Sequence, residues 1–256
     1  MCKHLLELNT RGWTIVSEVY STELIDKINL NFEKYIDLYI KIQKEQNIDK
    51  ESVNAFHHTC VIDTDQLSLI NPNPLHLLLE SYFEGKYILN NFSRAHNIPN
   101  QTVYTQNIHR DIRSCSFSYK VLLNTLIMLD DSTELNGATW ILENSQNMVS
   151  RPDEAFFFKN AVRAFGKKGD VLLFDGNLWH CGGVNCSNEI RRIQTLLYTI
   201  PSIKQGLDYP RAFGYDFIHT ISNELKQVLG YNALVPTNLT EYYKPREKRF
   251  YKQDQG

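Results

Sequence analysis

The sequence predicts a mainly β chain with flanking helices, its core an antiparallel sandwich or jelly roll. Three observations predict it. From Thr102 onward, TVYTQNIHRD, KVLLNTLIML, ATWIL, DVLLF and RIQTLLYTI are β-branched or apolar runs of strand length. The turn signals DDSTELNG, KKGD, DGN and GGVNCSN separate them, with no helical crossover between. Helical periodicity is confined to the first hundred residues.

Taken in order, GWTIVSEVY is β-rich and ends at Ser21, a good helix N-cap. From Thr22 the residues Leu24, Ile28, Phe32, Tyr35 and Tyr39 recur every three or four positions, predicting one amphipathic helix to about Gln46. NPNPLHLLLESYF reads as a turn into a second helix, with Pro74 suited to a first turn. Asn90 to Gln101 carries few periodic cues and reads as loop. The part after Pro201 reads as irregular. The chain therefore divides into a helical part at about 21–100 and a β core at about 102–201. No internal repeat and no linker-like stretch interrupts it, so 1–256 is expected to be a single domain.

Composition excludes several function classes. Of 256 residues, 42% are hydrophobic and 22% charged, the balance of a globular chain. A formal net charge of −2 gives no general pull toward nucleic acid or anionic membrane, and neither is expected as a partner. No apolar run is long enough to span a bilayer, and MCKHLLELNTRGW is not a secretory signal. The five cysteines (Cys2, Cys60, Cys115, Cys181, Cys186) are an odd number, which fits reduced thiols and a cytoplasmic location. The basic KPREKRFYK near the end reads as solvated surface. Nothing in the sequence assigns an oligomeric state.

The chemistry is carried by three residues. His109 and Asp111 are two apart in a predicted strand, so both side chains leave one face. Alone, His-x-Asp is weak evidence. GDVLLFDGNLWH supplies the rest: a turn at Gly169-Asp170, a buried-looking strand, a second turn, then His180, placed to close a facial triad. Two histidines and one carboxylate with open positions opposite suit non-haem iron(II) oxygenases. A 2-oxo acid and dioxygen would fill the open positions. A distal carboxylate then needs a fixed cation, and arginine binds it with two parallel hydrogen bonds. Arg191 and Arg192 begin the last strand, and strand alternation sends them to opposite faces.

HRD, MLDDSTELNGATWIL, GDVLLFDGNLWHCGGVN, RRIQTLLY and the opening GWTIVSEVYSTELIDKI resemble the phytanoyl-CoA dioxygenase family of Fe(II)/2-oxoglutarate oxygenases, from Gly12 to about Tyr198. The resemblance implies a double-stranded β-helix (jelly-roll, cupin-like) core. It implies His109, Asp111 and His180 as iron ligands, with 2-oxoglutarate as co-substrate and dioxygen as oxidant. An arginine eleven residues beyond the distal histidine as carboxylate anchor selects Arg191. Two departures stand out. The family's Pro-Gly-Ser-His type segment is ENSQN here, keeping only Ser145, and Gly182 stands where some relatives have a hydroxyl residue.

Supporting residues follow. Gln106 faces away from the metal in a regular strand, and inward to the co-substrate if a bulge intervenes. Asn124, a polar residue in an apolar strand, needs a partner; a co-substrate carboxylate or a neighbouring backbone group would serve. Thr139 can point into the barrel or be a routine β-former. Arg113, Phe117, Tyr119 and Arg163 are candidates to face substrate, whereas Trp179 is expected to point into packing. Two rival readings exist: a zinc protein using nearby cysteines, and a non-catalytic jelly-roll metabolite-binding module. The first lacks paired Cys-x2-Cys spacing, and the second has no need of a triad. Asp111 also argues against halogenation, which requires the carboxylate position to be vacant. The expected reaction is oxidation, most simply hydroxylation, of a C–H bond in a small biosynthetic metabolite, because no basic cluster suited to an acyl-CoA lies near the site. Substrate selection is expected in His57–Gln101, in Gln146–Phe165 and after Pro201. Gln146–Phe165 is the first choice for a lid.

Overall fold

In the computed structural model, which describes residues 2–101, 104–112 and 119–249, the strands form two antiparallel sheets. They are β1 (Trp13–Val16), β2 (Ala55–His57), β3 (Ile88–Asn97), β4 (Leu122–Met128), β5 (Trp140–Ile141), β6 (Val162–Arg163), β7 (Val171–Asp175), β8 (His180–Cys181) and β9 (Arg191–Thr199). The larger sheet has the order β1-β7-β4-β9-β3-β2 and the smaller β6-β5-β8. Helices α1 (Lys3–Arg11), α2 (Thr22–Glu33), α3 (Ile36–Glu45), α4 (Thr59–Ile62) and α5 (His76–Phe83) occupy the N-terminal part. The others are α6 (Glu154–Asn160), α7 (Tyr209–Phe213), α8 (Asn223–Val228) and α9 (Leu239–Tyr242). The result is the mainly β, jelly-roll architecture with flanking helices.

Strand β4 shows how sequence makes the layers. Every one of its residues is buried, because both faces are covered. Leu123 and Ile127 point to one face, where Ile25 and Ile28 of α2, Leu79 and Phe83 of α5, and Leu225 and Val228 of α8 cover them. Leu126 and Met128 point to the other, against Ile141 of the small sheet, Leu172 and Phe174 of β7, and Leu178. Each fully buried side chain of this kind contributes roughly 1.5–3 kcal/mol. The same alternation puts Asn124 on the face between the sheets, where an apolar residue would otherwise belong.

Three expectations need correction. The single helix expected to Gln46 is two, α2 and α3, broken at Lys34–Tyr35. Seven residues of straight helix would separate Phe32 and Tyr39 by about 10 Å. Their rings instead lie 5.9 Å apart and both pack on Phe56. Ser21 caps α2 as expected, accepting from the Leu24 N–H.

Asn90 to Gln101 is not loop: β3 runs to Asn97 and pairs with β9 along its length. Its sequence hides the strand because a bulge at Asn90 breaks the period of two. Its polar residues also find partners, with Arg94 donating to His96 Nε2 and to Asn29 Oδ1. The β core therefore is not confined to 102–201; β1, β2 and β3 come from the part expected to be helical. Conversely, TVYTQNIHRD is not a strand where it is described. Tyr104–Gln106 is a 3-10 turn and His109 makes one isolated bridge.

Gly169 shows a turn requirement that only glycine meets. Its φ is +90°, and a Cβ there would stand 2.2 Å from the Tyr20 carbonyl oxygen. Gly169→Ala should lower stability by more than about 1 kcal/mol through backbone strain and this clash together. Gly85, with nothing within 4 Å of its Cβ position, should accept alanine with little change. Urea midpoints at an unchanged m-value test the pair.

Candidate metal centre

His109 and His180 are held opposite each other by the backbone. The N–H of each donates to the carbonyl of the other at 2.9 Å, a bridge that adds His109 to the edge of the small sheet beside β8. Residues paired this way put their side chains on one face, and the two rings sit 4.3 Å apart between centroids. Asp111 is fixed two residues on, where the Ile112 N–H donates to the Gly176 carbonyl at 3.0 Å. So the three side chains converge although His109 and Asp111 are in no regular strand.

The donor atoms are oriented as well as gathered. The Nδ1–H of His109 donates to the Asn107 carbonyl at 2.7 Å, and that of His180 to the Leu178 carbonyl at 2.9 Å. Each bond leaves Nε2 as the free lone pair, the tautomer a metal needs. Both Nε2 atoms lie 4.0 Å from Asp111 Oδ1. Two such donors bound to one ion at roughly 2.0–2.2 Å each are at most about 4.4 Å apart, so the spacing suits a shared divalent cation. Burial, reinforced by the neighbouring His109 and opposed by Asp111, pushes the His180 imidazole down to about 4. It is therefore neutral and ready to coordinate at ordinary pH. Among the described residues no cysteine joins this cluster, which removes thiolate support for a zinc site there.

Asn124 proves to be a partner of the triad carboxylate. Its Nδ2 donates to Asp111 Oδ2 at 3.0 Å, leaving Oδ1 turned toward the histidines. The sequence suggests a co-substrate carboxylate or a neighbouring backbone group; the partner among the described residues is Asp111. The Asn124 Oδ1 is buried without a protein hydrogen bond. His180 also rests on the Phe174 ring at 4.6 Å. Behind it, buried Ser145 donates to the Leu142 carbonyl and accepts from the Trp179 N–H. Trp179 turns into the outer cluster with Phe157, as expected.

The triad opens into a cavity of about 300 Å³ between the sheets, which Gln106, Asn124, Thr139 and Arg191 also line. Gln106 reaches it from the 3-10 turn; no bulge is involved. Its amide donates to the Gln101 carbonyl at 3.3 Å. Arg191 is 2% exposed and pairs with no carboxylate among the described residues. Its Nε donates to the Asn136 carbonyl and its Nη1 to Ser132 Oγ. Burial pushes it down to about 10, with nearby Arg163 acting in the same direction and Asp130 against. Arg192 points the other way and makes two hydrogen bonds with Asp130, at 2.9 and 3.2 Å.

The substrate-facing candidates fare differently. Tyr119 is 76% exposed and does not line the cavity, because it precedes β4 on the solvent side. Arg163 is also outside it; its guanidinium stacks over Trp140 at 4.7 Å, since the β5–β6 register places both on the outer face of the small sheet. Arg113 and Phe117 lie outside the described residues. No residue of Gln146–Phe165 lines the cavity. Phe157 is fully buried against Trp179 and Leu142, so α6 packs the small sheet from outside the cavity. Much of the cavity wall instead comes from the β2 and β3 region, with His57, Asn91, Ser93 and Asn97 inside His57–Gln101 and Val53 to Ala55 before it.

The family model for phytanoyl-CoA dioxygenase (PhyH) matches residues 8–193. This chain belongs to the phytanoyl-CoA dioxygenase family. It is 32% identical over 154 residues to "Uncharacterized protein Rv1501" of Mycobacterium tuberculosis, covering 60% of this chain and 56% of that one. It is 30% identical over 165 residues to "Dioxygenase cdmA" of Talaromyces verruculosus, covering 57% and 52%. The chain thus spans about half the length of the curated relatives it matches. Its fold is that of SnoN, a non-heme alpha ketoglutarate dependent epimerase from nogalamycin biosynthesis. The TM-score is 0.60 at 14% identity, covering 77% of this chain and 79% of SnoN. In this family member, Asn124→Ala should weaken Mn(II) affinity about 10–100-fold by releasing Asp111. His109→Ala, Asp111→Ala or His180→Ala should abolish it. Equilibrium dialysis reads both, with circular dichroism showing the fold retained.

Proposed function

We propose that the chain is a single-domain Fe(II)/2-oxoglutarate-dependent dioxygenase that oxidises, most simply hydroxylates, a C–H bond of a small metabolite and releases succinate and carbon dioxide. One observation carries the reading: a buried guanidinium without a carboxylate partner among the described residues shares a small cavity with a His-Asp-His cluster of cation-binding spacing. A buried, unpaired cation is costly, and a dicarboxylate that also reached the metal would relieve it. The similarity to cdmA, a dioxygenase, and to SnoN, an alpha ketoglutarate dependent epimerase, supports the same chemistry.

In this reading His109, Asp111 and His180 hold the iron, and Arg191 holds the distal carboxylate of 2-oxoglutarate. When bound, iron(II) with 2-oxoglutarate and dioxygen supplies the oxidising power. The protein supplies the rest. Asn124 fixes which Asp111 oxygen faces the metal, and the backbone bridge fixes the angle between the imidazoles. Thr139 and Gln106, on the cavity wall, are placed to contact the co-substrate. Phe174, Leu126 and Ile193 make that wall apolar and exclude water. A cavity of about 300 Å³ is at the small end for ligand sites, which favours a compact metabolite, placed in biosynthesis, over an acyl-CoA.

The assay is dioxygen-dependent release of carbon dioxide and succinate from 2-oxoglutarate with Fe(II) and ascorbate. The expected result is slow turnover without organic substrate, lost in His180→Ala; no turnover above that variant contradicts the proposal. Arg191→Ala should raise the 2-oxoglutarate requirement by at least two orders of magnitude, since breaking a buried ion pair costs about 3–5 kcal/mol. Arg192→Ala should leave it unchanged. The reverse ranking contradicts the assignment.

A further inference from the structure

The cavity contains a second polar cluster, apart from the triad and Arg191. His57 on β2 and Ser93 on β3 are cross-strand partners, and His57 Nδ1 lies 2.8 Å from Ser93 Oγ. The Ser93 hydroxyl donates in turn to Asn91 Oδ1 at 2.5 Å. All three residues line the cavity that holds the triad. The bulge at Asn90 makes this possible. Leu89 and Phe92, three apart, both face the helices, so Asn91 and Ser93 turn together to the opposite face.

Proton counting fixes the direction of this chain of hydrogen bonds. A serine hydroxyl has one hydrogen and an amide oxygen only accepts. Ser93 therefore donates to Asn91 and accepts from His57 Nδ1–H. The neutral imidazole is left with Nε2 as an acceptor; His57 is exposed at the edge of the cavity, and partial desolvation there lowers its pKa. Asn91 retains Nδ2 as a donor. Neither atom has a partner among the described residues. The neighbouring basic side chain, Arg94, also borders the cavity, with its Nε and Nη2 engaged by His96 and Asn29. The cluster thus offers one acceptor and one donor and no fixed charge.

Its position suits a substrate reaching the metal. Asn91 and Asn124 flank Leu197 from opposite sides of β9, two strand spacings or roughly 9–10 Å apart. Arg191 lies six residues along the same strand from Leu197, so the cluster and the carboxylate anchor are at different ends of the cavity. We propose that His57, Ser93 and Asn91 form the subsite that orients the organic substrate, binding an uncharged group that donates one hydrogen bond and accepts another, such as a secondary amide or an alcohol. Calling that occupant the substrate rests on the dioxygenase reading; the hydrogen-bond selectivity does not.

The test is an NMR titration of the full chain loaded with Zn(II) and 2-oxoglutarate. It follows the His57 imidazole signal, assigned from its absence in His57→Gln. The probes are δ-valerolactam, cyclohexanol, N-methyl-δ-valerolactam and cyclohexanecarboxylate. The lactam and the alcohol should shift the signal saturably, while the N-methyl lactam and the carboxylate bind at least tenfold more weakly. Asn91→Asp, which replaces the donor with a charged acceptor, should weaken the lactam at least tenfold. In Asp111→Ala the lactam should still bind, so a failure of the metal assignment leaves this result standing. A carboxylate that binds as well as the lactam, an N-methyl lactam that binds equally, or a His57 signal that neither neutral probe moves would overturn the proposal.

Discussion

The reciprocal backbone hydrogen bonds between His109 and His180 are the contact on which the site depends. They join a segment with no strand of its own to the edge of the small sheet, and so bring two residues 71 positions apart into register. From that register the rest follows. The rings face one way, the Asn107 and Leu178 carbonyls take the Nδ1 protons, and both Nε2 atoms are aimed at one point beside Asp111. A slip of one residue would send one imidazole to the opposite face. The bridge is short, and it is kept in place from behind by Ser145 on the Trp179 N–H and by Ile112 on Gly176.

Charge explains why the cavity is arranged around unpaired groups. Asp111 and Arg191 line the cavity at separate places, held apart by different partners: Asn124 for the first, Asn136 and Ser132 for the second. Arg94 and Arg110 line it as well, so a divalent cation would add to an existing positive excess. A dicarboxylate dianion that touched both the metal and Arg191 would reduce that excess. In a poorly hydrated site such balance matters, since uncompensated charge is far more costly there than in water. Metal and dicarboxylate should therefore favour each other's binding.

Most of this chemistry is visible in the sequence because it resides in short motifs. His-x-Asp, the GDVLLFDGNLWH segment and the two arginines of RRIQTLLY are each contiguous, and alternation along β9 separates Arg191 from Arg192 without further information. The apolar strands β4, β7 and β9 are likewise plain. Elements defined by long-range partners are hidden. Strand β3 is polar on both faces because one meets the cavity and the other a buried network of Arg94, His96 and Asn29, so it lacks the hydrophobic alternation that announces a strand. With β3 unread, Ser93 and Asn91 could not be recognised as cavity residues. Asn124 signals a buried polar role, but only the fold shows that its partner is Asp111. The break between α2 and α3 is equally invisible, since it depends on Phe56 arriving from β2 to receive both rings.

The central claim is that the triad and Arg191 form one site for a cation and a dicarboxylate together. Calorimetric titration of 2-oxoglutarate, with and without saturating Mn(II), tests it most directly, because Mn(II) permits binding without turnover. A shared site predicts at least tenfold tighter 2-oxoglutarate binding when Mn(II) is present, and by linkage the same factor for Mn(II) when 2-oxoglutarate is present. Equal affinity with and without the metal would show that the two bind independently, and would contradict the account.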